Sequence, residues 1–89
     1  MIKRSFTIIN KLGLHARAAA KFVTTASAFQ SEIIVSRNGR AVNGKSIMGI
    51  MMLAAAKDTT IEVSANGEDE QQALDELETL INDFFGEGE

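Results

Sequence analysis

The sequence predicts an α+β fold: an open-faced β-sandwich in which a four-stranded, mostly antiparallel sheet is covered on one face by three helices. Three observations carry this expectation. Four short segments have strand character, most of them alternating apolar and polar residues as a strand with one wet face does. Three longer segments favour helix, with apolar residues that can bury one side. The two kinds follow one another as β-α-β-β-α-β-α, and the apolar helix stripes need the apolar sheet face as their partner.

The first strand is expected over residues 2–9, with Ile2, Phe6 and Ile8 inward and Lys3, Ser5 and Thr7 outward. Asn10 to Gly13 form a turn. From Ala16 to about Ala28, Ala19, Phe22, Val23 and Ala26 make one buried helical stripe. Glu32 to Arg37 is rich in β-branched residues and reads as the second strand. Asn38-Gly39 is a strong hairpin signal, so Arg40 to Val42 pair back as a third. Ser46 is a natural N-cap for a helix running from Ile47 to about Ala56. Thr59 to Ala65 alternates again and forms the fourth strand. Asp69 can cap the last helix, with Gln72 returning the bond. Leu74, Leu77, Leu80, Ile81 and Phe84 line that helix's inner face, and the tail FGEGE is expected to fray.

With 89 residues and no repeats or linkers, the chain is expected to be a single domain, 1–89. The absence of cysteine excludes disulfides, thiolate metal sites and cysteine nucleophiles. The net charge is −3 with no basic tract, which argues against a nucleic-acid reader, whose affinity rests on neutralised phosphates. Neither a signal peptide nor a membrane-spanning run fits, so a soluble cytoplasmic protein without membrane insertion is expected.

Chemistry concentrates in GLHARAAA, residues 13–20, which hold the only histidine. One histidine without cysteines is a poor start for a metal site, and no serine has a nucleophile-elbow context. No cofactor or metal is expected. Around position 15 the first helical turn leaves N–H groups unpaired, and with the helix dipole these favour an anion. Arg17 adds a donor fork matched to phosphate oxygens. An imidazole is also a competent nucleophile, in its neutral form near pH 7. Three readings stand open: a histidine that accepts a phosphoryl group and holds it at the helix start, a general acid–base residue, for which no carboxylate partner lies near in sequence, or a plain capping or surface residue.

Ser46 poses a similar choice between plain N-cap and something more. The helix it begins has little polar face, so some of Ile47, Met48, Met51 and Met52 should lie outside. Flexible methionines beside a phosphate site suit a docking face for several partners, whereas a fully buried short helix is the bland alternative.

GLHARAAA, followed some thirty residues later by GKSIMGIMMLAAAK, resembles the histidine-containing phosphocarrier (HPr) family of the bacterial phosphoenolpyruvate:sugar phosphotransferase system. The resemblance extends over essentially the whole chain, including ANGEDEQQAL before the last helix. It implies that His15 takes a phosphoryl group on Nδ1 from phospho-enzyme I and passes it to the IIA domains of sugar permeases. It implies that Arg17 stabilises the phosphoryl group, and that Ala20, Ile47, Met48 and Met51 belong to the partner-binding face. Ser46 matches the family's regulatory serine, phosphorylated by HPr kinase/phosphorylase. The protein would then be a stoichiometric carrier rather than an enzyme, and transient pairing suits a monomer.

One departure stands out. The family usually has proline where this chain has Ala18, which still starts a helix well but puts in question how rigidly His15 and Arg17 are presented. Two rival functions remain: a nitrogen-type or purely regulatory carrier without sugar transport, and a non-catalytic binding module that docks through its Met-rich helix.

Overall fold

A computed structural model describes residues 1–89. The element order is β1 (Ile2–Thr7), α1 (Ala16–Ser27), β2 (Glu32–Arg37), β3 (Arg40–Asn43), α2 (Ile47–Met52), β4 (Thr60–Asn66) and α3 (Glu70–Asn82), closed by a short 3₁₀ turn at Phe84–Gly86. The strands lie in the order β1-β4-β2-β3 and every neighbouring pair is antiparallel. The α1 and α2 connections therefore each step over one strand, and only β2 and β3 are joined by a hairpin. Asn38 and Gly39 both take positive φ, 51° and 82°, as a two-residue turn matched to strand twist requires.

Register puts apolar residues on one face. Phe6 lies opposite Ile61, Val63 opposite Val35, and Ala65 opposite Ile33, all of them buried. Phe22 and Ala26 of α1 and Leu74, Leu77 and Ile81 of α3 complete one continuous core with them. Arg4 shares the inward side of β1, yet its guanidinium reaches the edge and meets Asp75 and Glu78 of α3 at 2.8 and 2.9 Å. No helix is long and apolar enough to cross a membrane.

Several local expectations are corrected. β1 ends at Thr7, before the expected Ile9. The second helix ends at Met52 instead of near Ala56. Arg37 Nη1 donates to Leu53 O at 2.8 Å and Arg40 Nη1 to Met52 O at 3.2 Å, which satisfies carbonyls at the helix end. Ala54 then takes φ 50°, and Ala55 is buried with its carbonyl accepting from Leu14 N at 2.9 Å. The helix stops because Ala55 has to reach the loop before α1.

Asp69 does not cap α3 with its side chain. Its carboxylate instead accepts from Gln30 N, Ser31 N and the Ser31 hydroxyl, tying the start of α3 to the loop before β2. Glu70, rather than Gln72, returns a bond to the turn, accepting from Gly67 N at 3.1 Å.

The C-terminus differs most. Phe85, not Phe84, is the fully buried aromatic, and Leu80 is only half-buried. The tail does not fray: Glu89 O accepts from Lys11 N at 3.1 Å. A buried aromatic ring outweighs the entropy that would otherwise free a glycine-rich end.

Candidate functional site

The loop before α1 is built to deliver one side chain. Gly13 has φ 67° and is buried. A Cβ there would stand 2.5 Å from Ala55 O and 2.9 Å from Ala56 Cα, so only glycine passes beneath that segment. Leu14 follows into the core, and His15 sits at the N-cap in extended conformation (φ −75°, ψ 179°).

His15 does not cap the helix with its imidazole. The first α1 bond at this end runs from Ala19 N to His15 O at 2.8 Å. The N–H groups of Ala16, Arg17 and Ala18 therefore precede any intrahelical acceptor and, with the helix dipole, make this end favourable to an anion. Where a proline at 18 would lack one of these donors, Ala18 keeps it.

An open cleft of about 600 Å³ lies over this point, lined by Lys11, Leu12, His15, Arg17, Lys21 and Glu87 among others. Three cations thus line the same cleft as the imidazole, whose side chain is 27% exposed. The sequence shows no carboxylate near His15, yet the fold brings one from 72 positions away: Glu87 Oε2 bonds His15 Nε2. Glu87 Oε1 accepts from Asn10 Nδ2 at 2.9 Å, and the same amide donates to Gly13 O at 2.8 Å. Burial disfavours the Glu87 charge, but the bonds from Asn10 and His15, with the nearby Lys21, prevail and hold its carboxyl below the ordinary value.

Of the residues singled out from sequence, His15 and Arg17 share the cleft, and Ala20 lies half-buried one turn along α1. Ser46 does not line the cleft and caps α2, its hydroxyl accepting from Gly49 N at 3.0 Å. Beyond it Ile47, Met48, Met51 and Met52 are 43%, 71%, 40% and 58% exposed, while Ile50 alone is fully buried. The helix is therefore not a buried one; it presents an apolar face, and it packs against α1. Sequence reasoning missed Asn10, Leu12, Lys21 and Glu87. Leu12, an apolar residue in a turn, was the readable signal; nothing local marked Glu87.

An open-faced sandwich with one partly exposed histidine at a cationic helix start, beside an apolar face, defines a class of small protein that offers an imidazole on its surface. The family profile described as "PTS HPr component phosphorylation site" matches residues 2–83. A phosphocarrier protein HPr from Neisseria meningitidis is 62% identical over 89 residues, covering all of both chains. The crystal structure of HPr from Thermoanaerobacter tengcongensis superposes with a TM-score of 0.94 at 48% identity, covering 98% of each chain. Another structure from that organism, described as an HPr dimer, superposes at 0.79 with the same identity, over 98% of this chain and all of that one. The chain belongs to the HPr family, the phosphocarriers of the phosphotransferase system.

Proposed function

We propose that this chain, as one domain over residues 1–89, accepts a phosphoryl group from phospho-enzyme I on His15 Nδ1 and hands it to IIA domains of sugar permeases. The observation that carries the reading is the placement of His15: its Nε2 is bonded to Glu87, while the ring stays partly exposed in a cleft lined by Lys11, Arg17 and Lys21. The lone pair of Nδ1 attacks phosphorus, and the donor atom departs with the electron pair of the bond that breaks. Arg17 and the free N–H groups of the first α1 turn hold the phosphoryl oxygens. The helix site keeps the group bound without enclosing it, as a carrier passing it between proteins requires.

Ala20 with Ile47, Met48 and Met51 forms the docking face, whose exposed isoleucine and adaptable methionines suit transient encounters. Ser46 is the regulatory site, modified by HPr kinase/phosphorylase. Its phosphate would add about −1.5 to −2 charges to that face and oppose docking of a phosphorylated partner. The protein works as a cytoplasmic monomer, without metal or cofactor, and is regenerated at each transfer rather than turning over a substrate.

Incubation with enzyme I and phosphoenolpyruvate should add the mass of one acid-labile phosphate, and His15→Ala should take up none. Uptake by His15→Ala would move the site elsewhere. No uptake by the wild type would leave a binding module that docks through α2. Sedimentation of the free protein at working concentration checks the monomer.

A further inference from the structure

The tail holds a group that the transfer scheme leaves unused. Phe84, Phe85 and Gly86 take consecutive positive φ values of 57°, 53° and 75°. A left-handed conformation costs a bulky L-residue roughly 1–2 kcal/mol, so two adjacent phenylalanines adopt it only where surrounding contacts hold them. Here Phe85 is fully buried, and its carbonyl accepts from Lys21 Nζ at 2.6 Å. The turn reverses the chain over the start of α1 and sets Glu87 against His15 Nε2. Buried Asn10 grips the other carboxylate oxygen and, through Gly13 O, the loop that delivers His15. Imidazole and carboxylate are thus fixed to the same support.

We propose that Glu87 is a positioning residue for His15, accepting a hydrogen bond from Nε2–H and so fixing the tautomer that leaves the Nδ1 lone pair free to attack. The proposal rests on the phosphocarrier reading. When the P–Nδ1 bond forms and the donor's bond to phosphorus breaks, the Nε2 proton stays in place and the ring becomes cationic. Glu87, already ionised and adjacent, stabilises that charge. When the group moves on, Nδ1 leaves with its electron pair and the neutral Nε2–H ring returns. A carboxylate behind a histidine does the same work in hydrolytic triads, orienting the ring without taking its proton.

The test uses the full ¹⁵N-labelled chain and two variants, Glu87→Ala and Glu87→Gln. Imidazole ¹⁵N spectra at pH 8, before any phosphoryl donor is added, should show only the Nε2–H form in the wild type. Glu87→Ala should show both tautomers. Glu87→Gln should shift the ring toward Nδ1–H, because its oxygen accepts from Asn10 Nδ2 and its amide N–H then faces His15 Nε2. The rate of phosphoryl acceptance from phosphorylated enzyme I should fall about tenfold in Glu87→Ala, within the range by which outer carboxylates tune a histidine ligand. Glu87→Gln should recover none of that loss, because it supplies neither the negative charge nor the acceptor that Nε2–H needs. Wild-type tautomer and rate in Glu87→Ala would overturn the proposal, as would a Glu87→Gln variant that keeps the wild-type tautomer and rate. If the wild type itself accepts no phosphoryl group, the phosphocarrier reading fails, and the tautomer spectra still decide whether Glu87 orients the ring.

Discussion

Phe85→Ala separates a docked C-terminus from a frayed one. Phe85 has no exposed surface, and truncating a fully buried phenylalanine to alanine costs about 3–5 kcal/mol. No strain is relieved in exchange, because the alanine would stand at the same φ of 53°. The residue is near the chain end, so local undocking limits the loss, and about 3 kcal/mol is expected. For a chain of this size each kcal/mol moves the midpoint by about 4–8 °C, giving a fall of roughly 12–24 °C. Urea unfolding followed by circular dichroism should show the same loss as a lower midpoint at unchanged slope. The His15–Glu87 bond should be lost with it, since Phe85 anchors the turn that carries Glu87. A stability change below about 0.5 kcal/mol, the scale of surface substitutions, would refute a docked tail.

Gly13→Ala should destabilise by at least about 2 kcal/mol in urea titration, since the new Cβ meets backbone atoms and φ is positive. Ser46→Asp should slow initial phosphorylation of His15 by enzyme I about tenfold through like-charge repulsion, with an unchanged circular dichroism spectrum; an unchanged rate would remove Ser46 from the docking face. Asp69 is held below its ordinary value of 3.8 by the Ser31 hydroxyl first and the Gln30 amide next, against its burial. Its contribution is therefore fully present above about pH 4 and lost as pH falls through the folded value. Asp69→Asn should flatten the stability–pH curve below pH 4 and lower the plateau near neutrality; an unchanged acid limb would show that this carboxylate carries no stability.

The strands, helices and their order were legible because alternation and helical spacing are local, and burial in the fold follows the same periodicities. The Asn38-Gly39 turn and the Ser46 cap were equally readable, since each depends on the geometry of a few adjacent residues. The end of α2 was not. Its residues favour helix through Ala56, but Ala55 is needed by Leu14, and Arg37 and Arg40 satisfy carbonyls at the helix terminus. Asp69 failed for a related reason: its capping position was correct in sequence, yet the loop at Gln30 and Ser31 offered three better donors.

The sequence by itself determined the element order, the identity of the one imidazole, its place at a helix start with Arg17, and the apolar excess of α2. Those properties depend on composition and short-range spacing. Only the tertiary structure decided what stands behind His15. Glu87 lies 72 positions away on a tail of glycine and glutamate that no periodicity marks, and it arrives because Phe85 buries its ring and turns the backbone left-handed. A contact made by a chain reversal at a distant aromatic anchor has no local signature, so the carboxylate at the imidazole could be read only from the folded chain.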